Sequence, residues 1–330
     1  MRADEQTAPR TRKPGVWGGL VYHWPTIRRV LIWVFVLAVA AMLVMLAREV
    51  DWAEVYAAMR GTRPEVLAVA VGFVALSYAL YSSYDVLGKR YTGHDLGRLR
   101  TVLICAISYA FNLSLGSFVG GMGFRYRLYS RHGISAATTT RILGLSLATN
   151  WMGYFMLGGL VFASGVVSMP PGWEVGTGAL RLIGVALAAV AVAYIAMCAF
   201  SRRREWSIKG HEILLPSGRM AVLQIALSMA SWMSIGGIIY TLLGGQVDFF
   251  VVLGVFMLSG IAGAFAHIPG GLGVIEAVFV ALLSGQLPTA KILGALVVYR
   301  AIYYLLPLAL ATVAYLIVEA SLKKRGQGAG

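Results

Sequence analysis

Charged side chains inside long apolar runs are the residues of this sequence most able to do chemistry. They are few: Asp85, Glu276 and Arg300, with His267 at a break in its run. Each is expensive to hold in lipid unless it is paired or hydrated, so each marks a candidate functional position. Asp85 ends its predicted helix close to Lys89, and these two residues are predicted to pair at the membrane interface. Glu276 and Arg300 fall on successive predicted helices and can pair. Such a pair either fixes helix packing or contacts a polar substrate through one or both charges.

The run His267–Ala281, HIPGGLGVIEAVFVA, predicts a helix that is broken at membrane depth. Pro269 cannot donate to a helix ladder. Three glycines free the backbone to turn: Gly270, Gly271 and Gly273. Open backbone at this depth is tolerated only where it is buried in protein or lines a polar cavity, and in transporters such breaks mark binding sites. A tight turn between packed helices, with Glu276 as a favourable charge in the first turn of the next helix, explains the same residues.

A second break, rich in small residues, precedes the arginines of GGMGFRYRLYSR. Its small and polar residues are Asn112, Ser114, Gly116, Ser117, Gly120, Gly121 and Gly123. Such a bend presents backbone N–H groups, so Arg125 and Arg127 after it are predicted to clamp an anion. Positive charge at a membrane surface is the competing explanation, which we favour for Arg131. Asn112 is a further candidate substrate contact, although an interhelical hydrogen bond also explains it.

Arg300 opens a third candidate region, within YRAIYYLLP. In a regular helix Tyr303, Tyr304 and Pro307 share its face, because they follow at i+3, i+4 and i+7. A guanidinium beside tyrosines suits a phosphate or a carboxylate, although tyrosines also anchor helices at membrane interfaces. His267 is either a hydrogen-bonded buried histidine or a proton relay.

Composition places these residues in a membrane protein. Of the 330 residues, 58% are hydrophobic and 13% are charged, and the mean hydropathy is +0.75. The net charge of +14 lies mostly between apolar segments, which fits loops near anionic lipid and not a nucleic-acid groove. Cys105 and Cys198 both fall in apolar segments and are predicted to be buried, without a disulfide or a metal.

Helical apolar segments are predicted at Val30–Ala47, Glu65–Leu87, Thr101–Gly121, Arg141–Gly165, Ala179–Phe200, Met220–Leu243, Phe249–Ala266, Gly273–Ser284 and Ala290–Val318. We therefore predict an all-α, polytopic integral membrane protein with about seven full transmembrane helices and two short or re-entrant helical elements. The transmembrane domain covers residues 30–320, between basic cytoplasmic tails at residues 1–29 and 321–330.

Loop charge predicts the orientation of these segments. The loops at 88–100, 124–141 and 201–219 are basic and should face the cytoplasm with both termini, whereas the connection at 48–65 suits the outside. Two successive cytoplasmic loops require Thr101–Gly121 to enter and leave on one side, as a re-entrant hairpin, unless the charge bias fails here. Corresponding breaks in the two halves of a chain point to a transporter-like site, and an inverted repeat is a hypothesis.

Enzyme motifs are missing from the sequence. There is no P-loop, no zinc-binding HExxH, no nucleophile elbow and no aspartate pair of the metal-dependent transferase kind. We expect a protein without catalytic activity, cofactor or metal. If ATP is involved, another chain binds it.

Three stretches resemble a known membrane family. IPGGLGVIEAVFVALL is similar to the signature of the lysylphosphatidylglycerol synthase transmembrane region, the flippase half of MprF-type proteins, which also occurs in stand-alone YbhN-like proteins. NLSLGSFVGGMGFRYRLYS resembles that family's earlier glycine-rich segment, and YRAIYYLLP resembles its final helix. The resemblance covers residues 20–320 and implies a bacterial inner-membrane protein that moves a lipid between leaflets. It implies headgroup contacts by Arg125, Glu276 and Arg300.

The substrate that this resemblance implies is an anionic or aminoacylated phospholipid. In MprF-type proteins a soluble domain after the membrane region makes the aminoacyl lipid. Because this sequence ends at Gly330, we expect that it does not make that lipid itself. Another phospholipid, or an isoprenoid-linked lipid, is an equally defensible substrate.

Two other functions stay open at this point. A secondary transporter of a small anionic or amino-acid solute would be driven by protons through Glu276 or His267, and its uptake would follow the pH gradient. A scaffold for a lipid-synthesising enzyme would tolerate the loss of Arg125 or Glu276. Association of this chain into a homo-oligomer is also left open.

Overall fold

The structure is a computed structural model that describes residue 48 and residues 52–169, 176–202, 205–208, 211–266 and 273–327. The chain divides into two units, residues 1–50 and 51–330, and only Arg48 of the first unit is described. The tail at 1–29 and the segment Val30–Ala47 lie outside the described residues. So do four residues of the predicted second break, His267, Pro269, Gly270 and Gly271.

The second unit is built from helices that follow one another in the order of the predicted segments. They are α1 (Trp52–Gly61), α2 (Pro64–Thr92), α3 (Arg98–Leu115), a π-helical turn (Ser117–Gly123), α4 (Phe124–Arg131), α5 (Ala136–Ser164), α6 (Thr177–Phe200), α7 (Gly218–Leu242), α8 (Phe249–Ala266), α9 (Val274–Leu283), α10 (Thr289–Arg300), a second π-helical turn (Ala301–Leu305) and α11 (Leu306–Gln327). One antiparallel hairpin, β1 (Glu205–Ile208) and β2 (His211–Leu214), lies between α6 and α7.

Five of the described helical spans are long and apolar enough to cross a membrane: α2, α5, α6, α7 and the continuous span Thr289–Ala320. They have 24 to 32 residues. A rise of about 1.5 Å per residue makes each longer than the roughly 30 Å of hydrocarbon in a bilayer. Ser135 and Ser217 begin α5 and α7 as caps, each accepting a hydrogen bond from a backbone N–H three residues on. The predicted all-α membrane architecture is confirmed.

The predicted break after residue 112 is a helical hairpin. Helix α3 ends at Gly116, whose φ of +82° few residues other than glycine adopt, and the π-helical turn and α4 then pack back along α3. The rings of His94, before α3, and Tyr129, near the end of α4, lie 6.0 Å apart. The chain therefore leaves this hairpin at the end where it entered, as a re-entrant element requires.

Gly120, Gly121 and Gly123, which were predicted to lie in the break, all lie in the π-helical turn that follows Gly116. Their small size allows the two arms of the hairpin to touch. A Cβ added at Gly120 would lie 2.1 Å from the carbonyl oxygen of Phe111, and one at Gly121 would lie 2.5 Å from Asn112 Oδ1. The break itself is at Gly116.

The contact between Gly120 and Phe111 predicts that alanine at Gly120 destabilises the fold, whereas alanine at the open position Gly144 does not. Gly120→Ala should lower the free energy of unfolding by about 1–3 kcal/mol, because the methyl group meets backbone that cannot yield cheaply. Gly144→Ala, in α5, meets nothing within 4 Å and should be neutral or stabilising by up to about 1 kcal/mol. Unfolding of both variants in detergent checks this, and equal stabilities would contradict the close packing.

A second hairpin is formed by α8 and α9, which pack against each other. Gly273, at a φ of +79°, begins α9 as predicted, and its carbonyl accepts the Ala277 N–H at 2.9 Å. The open end of this hairpin, where α8 begins, lies near the beginning of α10, because Lys291 Nζ in α10 donates to Gln246 Oε1 at 2.6 Å. The first hairpin instead meets the far end of α11, where Arg131 pairs with Glu319. The two hairpins therefore enter from opposite ends of the molecule.

The order and packing of the elements support the inverted-repeat hypothesis. The first half reads α2, first hairpin, α5, and the second reads α7, second hairpin, α10 with α11. Equivalent pairs of helices pack in both halves. The α2–α3 contact corresponds to α7–α8, and the α2–α5 contact corresponds to α7–α10. The α3–α11 contact corresponds to α8–α5. Phe73, in the first half of α2, lies against Gly237, in the second half of α7, so these two helices run in opposite directions and the two halves are inverted.

Cysteine labelling tests this arrangement and its orientation. Ser130→Cys and Ser284→Cys lie exposed at opposite ends, and both natural cysteines are buried and should not react. In right-side-out vesicles an impermeant maleimide should label Ser284→Cys and spare Ser130→Cys, because the basic loops should be cytoplasmic. Labelling of both from one side would contradict the opposite entry of the hairpins.

Two local elements were not predicted. Helix α1 lies in the connection at 48–65, and the β1–β2 hairpin, with Trp206 paired to Ile213, lies in the loop at 201–219. Both are too short to give the long apolar run by which membrane helices are recognised. Helix α1 exposes two aromatic side chains four residues apart, Trp52 and Tyr56.

Candidate functional site

The break at the start of α9 places Glu276 opposite Arg300. Glu276 lies in the first turn of α9, and Arg300 is the last residue of α10. The guanidinium is bidentate: Nε lies 2.6 Å from Oε1 and Nη2 lies 2.9 Å from Oε2. The predicted pairing of these two residues is confirmed. The positive end of the short helix α9 also favours a carboxylate at this position.

The side chains of the Glu276–Arg300 pair are partly exposed. The side chains of Arg300 and Glu276 keep 17% and 23% of their surface exposed, although the helices that carry them are strongly apolar. A charged pair in such segments needs a polar neighbour or water to be tolerated. The arrangement can therefore receive a ligand that brings its own charge, with an anion directed to Arg300 and a cation to Glu276.

The first hairpin carries a second ion pair, between Arg125 in α4 and Asp85 in α2. Arg125 Nε and Nη2 lie 3.1 and 3.2 Å from the two oxygens of Asp85, and Tyr129 donates its hydroxyl to Asp85 Oδ2 at 2.9 Å. Arg125 Nη2 also donates to Cys105 Sγ at 3.0 Å. This pair is closed, with 4% of the arginine side chain and none of the aspartate exposed.

The Asp85–Arg125 pair corrects one prediction and constrains another. Asp85 does not pair with Lys89, because Lys89 donates to the carbonyl oxygen of His94 at 2.5 Å. Arg125 holds a carboxylate of its own chain and does not present an open anion clamp. A charge this deeply buried requires a partner, and the protein supplies one. Headgroup binding by Arg125 stays a prediction that requires the pair to open.

Residues 32–311 match the family described as the lysylphosphatidylglycerol synthase TM region. The match covers most of the chain. The chain belongs to this family. Its two hairpins and the Glu276–Arg300 and Asp85–Arg125 pairs lie within the matched residues.

The relatives of this chain include proteins of similar length and larger proteins. Inner membrane protein YbhN of Escherichia coli is 46% identical over 304 residues, which cover 92% of this chain and 95% of that protein. An uncharacterized protein of Synechocystis is 29% identical and covers 79% of this chain and 82% of its own length. A phosphatidylglycerol lysyltransferase of Staphylococcus haemolyticus is 25% identical over 71% of this chain, but only 27% of that protein is covered.

The family match confirms the resemblance that the glycine-rich stretches indicated. The protein is embedded in the membrane and crosses it several times, and it has an inner-membrane homologue. The cytoplasmic placement of its termini stays a prediction, as do its domain bounds.

The two tyrosines beside Arg300 lie in different environments in this family member. The ring of Tyr304 lies 5.9 Å from the Arg300 guanidinium carbon, so Tyr304 joins the site as predicted. Tyr303 is buried, and its hydroxyl bonds Ser77 Oγ at 3.1 Å and the Tyr109 hydroxyl at 2.8 Å. Tyr303 therefore lies outside the exposed site. The π-helical turn at Ala301–Leu305 changes the helical period on which its predicted position rested.

A cluster of tyrosines links the two ion pairs, and sequence reasoning missed it. The Arg125 guanidinium lies 5.7 Å from the centre of the Tyr81 ring, and Tyr81 stacks on Tyr109 with ring centres 3.6 Å apart. Tyr109 then reaches Tyr303 through their hydroxyls. The sequence does hold a signal, since α2 carries tyrosines three residues apart at 78, 81 and 84, which places them along one helix face.

The remaining predicted contacts lie away from Arg300. Arg127 is on α4 near the opposite end of α11, where Nη2 lies 3.2 Å from Glu319 Oε1. Asn112 is half-buried in the first hairpin, beside Gly121. The structure therefore brings Glu276, Arg300 and Tyr304 together but not Arg125, Arg127 or Asn112.

No group of three or more His, Cys, Asp or Glu side chains suited to a metal occurs among the described residues. Cys105 and Cys198 are both buried, as predicted. The predicted roles of His267, Pro269, Gly270 and Gly271 concern residues outside the described part, so they stay predictions.

Proposed function

We propose that this protein translocates a phospholipid between the leaflets of the inner membrane without changing the lipid chemically. The observation that carries this proposal is the Glu276–Arg300 pair. It is a bidentate ion pair that stays partly exposed on helices that are otherwise mostly apolar. A lipid headgroup is a charged ligand that must cross this depth while its acyl chains stay in hydrocarbon.

The pair can hold a headgroup by exchanging partners. The guanidinium of Arg300 takes the lipid phosphate through two N–H donors, a geometry that suits phosphate as well as carboxylate. Glu276 is then left without its partner, and an ammonium group on the headgroup restores the balance of charge. An aminoacylated or amino-bearing phospholipid therefore fits the pair better than a purely anionic one, because no charge remains unpaired.

The family supports a lipid as the substrate. The matched region is named after lysylphosphatidylglycerol synthase, and the staphylococcal relative is named a phosphatidylglycerol lysyltransferase. We propose that this chain handles such a lipid, or another phospholipid, as cargo and is not an enzyme. In this proposal a lipid-synthesising enzyme supplies the cargo as a separate partner.

The opposite entry of the hairpins supports a path between the leaflets. The first hairpin enters from the end that carries Glu319 and the second from the end that carries Lys291. Two inverted hairpins with helix breaks inside the membrane are the arrangement in which transporters present a site to both sides in turn. The Asp85–Arg125 pair is closed, so we assign it to holding the first hairpin in place.

Leaflet exchange in liposomes tests the proposal. Purified protein is reconstituted into vesicles with labelled phosphatidylglycerol, its lysyl form or phosphatidylethanolamine, and the fraction of label reached by an external quencher or back-extraction is followed. We expect exchange of a phospholipid without ATP or an ion gradient, fastest for the amino-bearing lipids. No exchange of any lipid by folded protein would reject the proposal, and solute uptake that follows a pH gradient would favour a proton-coupled transporter.

A further inference from the structure

A cluster of charged side chains lies where α4 meets the far end of α11. Arg127 Nη2 and Arg131 Nη2 lie 3.2 and 2.5 Å from the same oxygen, Oε1 of Glu319. The other oxygen, Oε2, is buried and accepts no hydrogen bond from the described residues. Oε1 of Glu319 therefore accepts hydrogen bonds from two guanidiniums, whereas Oε2 accepts none from them.

The charges of this arginine cluster do not cancel. In the part of the chain that the structure describes, two guanidiniums share the Glu319 carboxylate, so this group of three side chains has a net charge of +1. Arg131 is 38% exposed at its side chain and can be reached from the headgroup layer, while Arg127 lies deeper, 5.8 Å from the Tyr315 ring. The sequence adds three basic residues within two helical turns of Glu319: Lys323, Lys324 and Arg325.

We propose that the arginine cluster binds the phosphodiester group of an anionic phospholipid. The leaflet is that on the side of the C-terminus, which is the cytoplasmic leaflet by the loop-charge prediction. Glu319 acts as an internal occupant that the lipid phosphate displaces. Guanidiniums donate to carboxylate and phosphate oxygens in the same way, but a phosphate offers each arginine its own oxygen.

The position of the arginine cluster favours a lipid phosphate over a soluble phosphate as its ligand. It lies at the end of helices that span the membrane, where a lipid phosphate is already concentrated and where anionic headgroups attract each nearby basic residue. The Tyr315 ring lies 5.8 Å from the Arg127 guanidinium carbon and 5.2 Å from the Phe124 ring, so aromatic surface borders the cluster. The inference rests on the proposed function, since it locates where a lipid is captured before it reaches Glu276 and Arg300.

Lipid titration tests the site without measuring transport. The delipidated full chain in detergent is titrated with dioleoylphosphatidylglycerol, and bound lipids are counted by native mass spectrometry. Glu319→Gln removes the internal competitor and should tighten binding about two- to fivefold, since half-exposed ion pairs are of that strength. Arg131→Gln should weaken binding by a similar factor, while Arg131→Lys should bind as the wild type does.

Arg219→Gln is the matched control, because Arg219 is an exposed arginine at the start of α7 and should not change binding. Equal affinities of the wild type and Glu319→Gln would overturn the proposal and leave the cluster as a tie between α4 and α11. Competition by glycerol 3-phosphate at concentrations that match the lipid would overturn the choice of a lipid.

Two further outcomes separate this inference from the proposed function. If the variants change phosphatidylglycerol binding as expected but no lipid is exchanged in vesicles, the binding site stands and the translocation proposal fails. If exchange proceeds normally and the affinities of Glu319→Gln and Arg131→Gln equal that of Arg219→Gln, the translocation proposal stands and the capture site fails.

Discussion

An Arg300→Ala variant should exchange phospholipid at least about tenfold more slowly than the wild type. The guanidinium makes both hydrogen bonds of the pair with Glu276, and in the proposed mechanism it transfers them to the lipid phosphate. Hydrogen bonds to charged groups contribute about 1.5–3 kcal/mol, and about 1.4 kcal/mol corresponds to a factor of ten. The partial exposure of the pair places the expected loss at the lower end of that range.

Glu276→Gln should separate the two halves of the same site. It keeps the size of the side chain but removes the charge that an ammonium group would need. We expect it to slow exchange of lysylphosphatidylglycerol about tenfold and to leave phosphatidylglycerol within about threefold, because only the former brings a cation. Equal effects on both lipids would contradict the assignment of Glu276 to an ammonium group.

The control for both variants is Lys291→Ala, which removes a partly exposed basic side chain at the entry end of the second hairpin. It should exchange lipid at the wild-type rate. Normal exchange by folded Arg300→Ala would contradict headgroup binding at this site and would leave the Glu276–Arg300 pair as a packing contact. The expected rates are measured in the same vesicles as those used for lipid ranking.

Sequence reasoning predicted those features that depend on local patterns. The helix that begins at Phe249 starts where it was predicted, because an apolar run that follows turn residues fixes this limit. The pairing of Glu276 with Arg300 could be predicted because two opposite charges on successive apolar helices have few other partners in lipid. The prediction of a re-entrant first hairpin followed from loop charge, and the fold-back at Gly116 provides it.

The predictions that failed depend on contacts between distant parts of the chain. Asp85 was assigned to its sequence neighbour Lys89, but folding of the first hairpin brings Arg125 from 40 residues away. Gly120 was predicted as part of the helix break, but its close approach to Phe111 across the hairpin was not predicted. The burial of Tyr303 depends on a π-helical turn, which the spacing of apolar residues does not distinguish from a regular helix.

Replacing Asp85 with alanine should lower the free energy of unfolding by about 3–5 kcal/mol, the largest effect on stability that we expect. The substitution leaves Arg125 with 4% exposure and no carboxylate, and it removes the acceptor of the Tyr129 hydroxyl. Unfolding in detergent and the yield of folded protein measure the effect. Glu319→Ala is the matched control and should cost about 1 kcal/mol or less, because its ion pairs are partly exposed.

The double variant Asp85→Leu, Arg125→Met then decides the role of Arg125. Replacing a buried ion pair by apolar residues of similar volume is often neutral or stabilising, so the double variant should be markedly more stable than Asp85→Ala. If it is folded and exchanges lipid at the wild-type rate, the pair serves only to hold the first hairpin in place. If it is folded and exchange is lost, Arg125 contacts the headgroup, as the resemblance implied, and the closed pair must open during each transfer.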